Sequence, residues 1–528
     1  MMYLRTAIAA SAILAMTFLL HFGRARAADG PLSGTAEAFA ISPPVTALPR
    51  AAEGKHAVTP PRINPLAGEA DVGRRGTWFR TAPRDPLASS TWPGIGRTPA
   101  ADLSFEGARN PAACGGCTPP DPIGDVGKYH FVQAVNATKL GIYNKADGTL
   151  ATPAFNLSSL FSTAPCTTDA GDPIVLYDDI ANRWLLAQLA YPNHLCFAVS
   201  RTRDPLGSYF TYVFDVGEFP DYFKVGVWPS GYYVSANNAT ASTSTYDAFA
   251  FDRDKMLIGD PSAGFVKFTG ETNFLLPADV DGASTPSGGG LFYTFKDNKF
   301  HGGADRLELF RLNPHFGRPA QSTFTRLESI PISPFTYTVC GFFQFDCIPQ
   351  KNTVQKVDAV SEWPMHRFAY REIGTQKSLV GNFTVGGGTG SAGAAVRWFE
   401  LRKDGGSWSL FQEGTQDLGD GLDRFMGSIA MDKDGNIALG YSASGRADFP
   451  SIRYATRSPG DPPGTLERER LLKQGRGSQT GSNRWGDYSA MTVDPVGGCQ
   501  FWYTNEYYRT MSPTEWHTRI GAFTVPGC

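Results

Sequence analysis

Three observations predict an all-β chain assembled from repeated hairpins. First, one pattern recurs: a short apolar strand, a tight Asp/Pro/Gly turn, then a second strand rich in aromatics. It reads DPIVLYDDIANRWLLAQ from Asp172, YFKVGVWPSGYYVSAN from Tyr222, GSIAMDKDGNIALGYS from Gly427 and DYSAMTVDPVGGCQFWYTN from Asp487, with a weaker copy, GDVGKYHFVQAVN, from Gly124. Second, runs such as HFVQAV, LCFAVS, FVKF, GLFYTF, LELFRL, RWFEL and IGAFTV have strand length and an alternating or aromatic-rich character. Third, helical periodicity is scarce. Its one hint, TLERERLLKQG from Thr465, reads better as an outer strand and turn. Self-similar hairpins spaced roughly 45–60 residues apart are the sequence form of a β-propeller. Units start near Asp125, Asp172, Asp221, Asp279, Asp358, Arg424 and Asp487, so seven blades are expected, with six or eight as the alternatives.

Taken in order, the chain opens with a targeting segment. Arg5 precedes the apolar run TAIAASAILAMTFLL, and Ala25-Arg26-Ala27 forms an A-x-A cleavage site, so residues 1–27 read as a signal peptide. The apolar run is short for a membrane span, and no second segment is apolar enough to cross. The mature chain is expected to be secreted or periplasmic and not membrane-spanning. Residues 28–105 are rich in Ala, Pro, Gly and Arg, with Pro43-Pro44, Pro60-Pro61 and TWPGIGRTPA, and read as a disordered or extended leader. Trp78, Phe79 and Trp92 are its candidates for docking onto the folded part. Residues 106–528 are assigned to the propeller. Two stretches interrupt its rhythm: Pro331 to Lys351, and the glycine-rich Gly386 to Gly393, read as a flexible face loop.

Composition narrows the partners. The 528 residues carry 48 basic and 50 acidic side chains, a net charge of −2, with no Lys/Arg block. Nucleic acid is therefore not expected as a partner. All eight cysteines, Cys114, Cys117, Cys166, Cys196, Cys340, Cys347, Cys499 and Cys528, follow the signal segment. An even count in an exported chain favours disulfides, and sequence order suggests the pairs 114–117, 166–196, 340–347 and 499–528. Closing the last two loops stabilises by roughly 2.5 and 3.5 kcal/mol in the chain-entropy description.

Several motifs have both a chemical and a structural reading. Cys-Gly-Gly-Cys at 114–117 has redox or zinc spacing, but Pro119-Pro120 follows instead of a helix and no partner motif exists, so a loop disulfide is expected. MDKDGN at 431–436 and ADVDGAS at 278–284 begin like calcium loops without the remaining ligands. The first is explained by a type I′ turn at Asp434-Gly435, so no cofactor and no metal are expected, calcium being the one candidate. RKDGGSW at 402–408 is close to the Asp-box folding turn. His130 and His366 read as ordinary strand residues.

The sharper signal is positional. Charged residues precede or open the first strand of several units: Asp121 and Asp125, Asp172, Asp221 with Lys224, Asp358, Asp423 with Arg424, and Arg484 with Asp487. First strands line the channel of a propeller, so these positions are expected to converge at one mouth. The candidate ligand-binding set is Asp125, Asp172, Asp221, Lys224, Asp358, Arg424, Arg484, Asp487 and Tyr488. Asp172, Asp221, Asp487 and Glu506 are the candidate catalytic carboxylates. The competing reading is that these residues cap backbone N–H groups and staple neighbouring blades. Trp228, Tyr232, Tyr507 and Tyr508 are either sugar-stacking surfaces or blade core.

PPDPIGDVGKYHFVQAVN, GDPIVLYDDIANRWLLAQ, FPDYFKVGVWPSGYYV and RWGDYSAMTVDPVGGCQFWYTNEYY, in that order, resemble a group of secreted bacterial propeller proteins of largely uncharacterised function. The resemblance covers residues 115–528 and implies export and a propeller, but no reaction. A looser likeness extends to sialidase-type propellers. Their arginine triad and Tyr/Glu pair find counterparts by residue type alone in Arg424, Arg484, Tyr488 and Glu506. The expected function is binding of a polysaccharide or an extracellular protein at the channel mouth, the alternative being a glycoside hydrolase or lyase.

Overall fold

The computed structural model describes residues 30–51, 83–88, 98–239, 244–271, 274–340 and 346–528. The predicted signal segment and Trp78, Phe79 and Trp92 lie outside them. The architecture is all-β and propeller-like, made of antiparallel sheets in which consecutive strands are neighbours. Each sheet begins with a buried inner strand: Ile123–Val126, Ile174–Asp178, Pro220–Trp228, Leu276–Val280, Pro364–Ile373, Asp423–Met431 and Ala490–Val493. The Leu276 and Pro364 sets are fused into one eight-stranded sheet by parallel pairing of Ala278 with Phe368. Inner strands touch in chain order, and the Ala490 strand touches the Ile123 strand.

Turn chemistry accounts for the hairpins. At the end of the Ile174 strand, Asp178 Oδ1 accepts the Ala181 N–H at 2.9 Å, and Asn182 takes a left-handed φ of 54°, which Asn tolerates. In MDKDGN, only Gly435 has positive φ (85°), and Asp432 Oδ1 accepts the Asp434 and Asn436 N–H groups. The expected type I′ turn is thus replaced by a loop folded around Asp432, because Asp432 satisfies the turn amides itself. TLERERLLKQG contributes the outer strand Arg470–Lys473, and Arg402–Trp408 forms a hairpin turn in which Asp404 pairs with Ser407. Short helices at Arg253–Ile258 and Asn298–His301, which the sequence pattern did not suggest, sit in loops.

Sheets stack through aromatic residues. Six tryptophans, 184, 228, 398, 485, 502 and 516, are fully buried, as are Tyr232, Tyr507 and Tyr508. Trp228, Tyr232, Tyr507 and Tyr508 are thereby core rather than sugar-stacking surface. Gly127 is required where Trp184 of the next sheet packs on it, since a Cβ would come within 2.5 Å of the indole. The four disulfides are Cys114–Cys117, Cys166–Cys196, Cys340–Cys347 and Cys499–Cys528.

Where it is described, the leader is extended and docks on sheet edges, as the extended reading allowed. Leu32–Thr35 adds to the outer edge of the Pro220 sheet, and Ala38–Ile41 to that of the Ile174 sheet. Asp85 forms a fully buried ion pair with Arg397 at 2.5 Å. Leu103–Arg109 pairs with Trp516–Thr524 as the outer strand of the last sheet, which moves the start of that sheet's chain ahead of residue 106. The physical reason is that an outer strand exposes a row of unpaired N–H and C=O groups, which an extended segment satisfies whatever its composition. The glycine-rich stretch 386–393 is pinned rather than free: Thr389 bonds Asp417, and Ala392 and Ala394 donate to Asp423.

Candidate functional site

The chain enters its inner strands through kinked backbone. Asp121, Asp172, Tyr222, Val360 and Met426 all have φ between 42° and 52°, a region costly for residues with side chains. Register shifts fall at the same place in the Pro220 and Asp423 strands. Three of these side chains, Asp121, Asp172 and Tyr222, lie close enough for the two carboxyls to act on each other and on the Tyr222 hydroxyl.

Arg484 is the centre of the group. Its Nη2 binds both carboxylate oxygens of Asp487, and its Nε lies 3.1 Å from Asp358 Oδ2. The Asp487 N–H donates to Asp121 Oδ1 at 2.7 Å, and Asn136 Nδ2 donates to Asp121 Oδ2 at 2.6 Å. Asn136 Oδ1 in turn accepts the Asp172 N–H at 2.9 Å, and Glu506 Oε2 accepts the Gly486 N–H at 3.2 Å. Lys224 Nζ sits between two rings, 3.5 Å from the centroid of Tyr222 and 4.0 Å from that of Tyr488. The Tyr488 hydroxyl donates to the Pro173 carbonyl.

Six carboxylates thus surround two cations. Burial, reinforced by Asp172 and Asp487, pushes the Asp221 carboxyl up to about 7. Burial raises Asp121, Asp358 and Glu506 well above the carboxylate range, with Asp487 adding to the first and Asp121 to the last. Asp172 is raised by burial against the pull of Lys224. Lys224 is brought down to about 8 by burial, opposed by Asp172 and its neighbours. Water nevertheless reaches the group: the Arg484 side chain is 37% exposed, and Asp172 and Asp221 are half-buried. Several buried polar atoms here have no hydrogen-bond partner among the described residues, namely Tyr222 Oη, Trp363 Nε1, Glu506 Oε1 and both amide atoms of Asn237. The Tyr222 and Trp363 rings lie 4.2 Å apart, and Asn237 pairs with Asp221 across the sheet.

Of the sequence-derived candidates, Asp172, Asp221, Lys224, Asp358, Arg484, Asp487, Tyr488 and Glu506 come together. Asp125 and Arg424 do not. Asp125 lies farther along its inner strand, where it accepts the Tyr177 N–H of the next sheet at 2.7 Å, and burial, against the pull of Arg367, pushes it up to about 7. Arg424 is fully buried between Asp420 and Glu469. Both serve as staples. Asp279 and Asp281 of ADVDGAS grip Arg367. Asn136, Tyr222, Trp363 and Asn237 carry no site signal in the sequence, and Asp121, named with Asp125 among the strand-entry charges, is not in the candidate ligand-binding set. A signal for Asp121 exists: Asp-Pro-Ile occurs at both 121–123 and 172–174, which equates Asp121, not Asp125, with Asp172.

No family model matches the chain, and no curated protein matches it. Solved structures with some similarity include the WD40 domain of SCAP from fission yeast, at 9% identity over 74% of this chain and 82% of that one, with a TM-score of 0.33. U3-55K aligns at 8% identity over 80% and 100%, TM-score 0.39. The α-L-arabinofuranosidase Arb93A from Fusarium graminearum aligns at 10% identity over 67% and 92%, TM-score 0.33. Likenesses at this level carry no argument about what the chain binds.

Proposed function

We propose that the chain is an exported, seven-bladed β-propeller that binds a neutral, polyhydroxylated ligand, a glycan, at the mouth around Arg484. The blade count is supported by the seven inner strands, by their contacts in chain order back to the Ile123 strand, and by the Leu103 strand from the N-terminal side completing the last sheet. Export is supported by the A-x-A segment and by four disulfides, which belong in an oxidising compartment.

The observation that carries the ligand class is the unspent hydrogen-bonding capacity of a water-reached cluster, where among the described residues Tyr222 Oη, Trp363 Nε1 and Glu506 Oε1 have no hydrogen-bond partner. Burial raises Asp121, Asp221, Asp358 and Glu506 so that they hold protons toward neutral pH, and Arg484 is already held by Asp487 and Asp358. With its guanidinium already paired by two aspartates, the mouth differs from an arginine-lined sialidase site and offers an anionic sugar no free guanidinium. Sugar hydroxyls suit it, because each donates to a carboxylate and accepts from Arg484, Tyr222 or Trp363. A screen of the mature protein against neutral and acidic glycans tests this. Binding to neutral glycans alone supports the reading, and preference for sialylated or uronate glycans overturns it.

One observation favours hydrolysis as the second reading. Asp221 is half-buried and keeps its proton up to about 7, as a general acid must. Turnover of a bound neutral polysaccharide that disappears in Asp221→Asn, with binding retained, identifies an enzyme. Binding without turnover identifies a lectin-like module.

A further inference from the structure

We propose that Glu37, His194 and Asp215 form a divalent-metal site of the zinc class that clasps the N-terminal strand to the Ile174 sheet. The three residues come from three adjacent strands of one sheet. His194 opens the strand His194–Ser200 and pairs directly with Asp215, the last residue of Tyr209–Asp215. Glu37 immediately precedes Ala38–Ile41, which lies on the other side of Tyr209–Asp215, and its N–H donates to the Val213 carbonyl.

The ligand atoms are already gathered. One atom from each residue lies within 4.8 Å of the others, and His194 Nε2 is 3.1 Å from Glu37 Oε2. Tetrahedral bonds of about 2.0–2.1 Å place neighbouring ligand atoms about 3.3 Å apart, so this edge needs almost no adjustment. Asp215 is pre-oriented: its Oδ1 accepts the Asn193 side-chain N–H and the Gly217 backbone N–H, each at 2.7 Å. That arrangement leaves Oδ2 for an ion and supplies the outer hydrogen bonds that tune a metal ligand.

The donor set selects the ion. One imidazole nitrogen with two carboxylates suits zinc and its transition-metal neighbours, whereas calcium and magnesium take all-oxygen shells. Three protein ligands leave a fourth position for water. The Glu37 carboxylate is 54% exposed while His194 is 12% exposed, so the ion enters from the Glu37 side. The other ring nitrogen, His194 Nδ1, is buried without a partner among the described residues. None of those residues fixes the ligating tautomer, and micromolar rather than nanomolar affinity is expected.

The site is distant in role from the mouth and stands or falls independently of ligand binding there. Titrating the mature, disulfide-intact protein with Zn²⁺ by calorimetry, with Co²⁺ absorption reporting four-coordinate geometry, tests it. The expected result is a site weakened at least about tenfold in both His194→Ala and Glu37→Gln, with Zn²⁺ slowing proteolytic release of residues 30–51 in the wild type only. Glu37→Gln changes an exposed side chain, so it keeps the test decisive if His194→Ala folds poorly. Equal Zn²⁺ affinity in wild type and Glu37→Gln, or no binding by the wild type, overturns the proposal.

Discussion

Arg367 and Arg484 are each gripped by two aspartates, yet the two arginines do different work. Arg367 is 3% exposed and donates to Asp279 and Asp281 through three nitrogens. Asp279 also accepts the Val227 N–H of the neighbouring sheet at 2.8 Å. In that cluster the guanidinium and both aspartates are spent on tying sheets together. Arg484 holds Asp487 and Asp358 but remains 37% exposed, and the cluster includes Tyr222 Oη and Glu506 Oε1, which have no hydrogen-bond partner among the described residues. The lesson is that residue type and charge pairing do not separate a staple from a site. Water access and unspent hydrogen-bonding capacity do.

The comparison breaks most visibly at Arg367. Arg367→Met leaves Asp279 and Asp281 buried and uncompensated, so a loss of about 3–5 kcal/mol in chemical denaturation is expected, with glycan binding intact in the folded fraction. A binding loss exceeding the unfolded fraction would make Arg367 part of the site. Arg484→Ala is the converse: binding is abolished, and stability falls by only about 1–2 kcal/mol because water replaces part of the guanidinium's role. Denaturation and binding measured on the same sample separate the two effects.

A pH experiment sharpens the contrast further. The folded Asp221 carboxyl keeps its proton up to about 7, whereas an unperturbed one loses it near 3.8. Between those values the native state binds more protons than the unfolded state, so this group's contribution to stability falls as pH rises. Asp221→Asn removes that share. Its stability relative to wild type should therefore climb across that window and level off above it, as followed by melting temperature. The smallest effect belongs to Tyr222→Phe. Deleting a buried hydroxyl without a partner is neutral or stabilises by up to about 1 kcal/mol, while glycan affinity drops if Tyr222 contacts ligand. A clear loss of stability would show that the hydroxyl is already satisfied.

Part of the cluster was legible in the chain because a repeat brings residues at strand entries together. Asp172 and Asp487 lie two and three residues before their inner strands and Asp221 is the second residue of its own, near enough to one place for the packed strands to gather them. The same argument misplaced Asp125 and Arg424. Asp125 stands four residues past Asp121, and in a strand that distance moves a side chain about 13 Å along the strand axis. Arg424 precedes the register shift of its strand whereas Lys224 follows that of its own, and the Arg424 side chain lies against Asp420 and Glu469. Trp363 and Asn237 carry no signal in their own segments. They join the site only because separate sheets are packed side by side.

By itself, the sequence determined the all-β character, the hairpin units and the disulfide pairs. These depend on contacts close along the chain: alternation within a strand, turn residues between two strands, and cysteines 3 to 30 residues apart. The tertiary structure alone decided which charged groups are staples and which face water, and that the N-terminal segments complete sheet edges. Those outcomes depend on partners up to several hundred residues away, such as Asp121 with Asp487 and Asp85 with Arg397. No local pattern encodes such pairs, because the energy of a buried charge is set by everything packed around it.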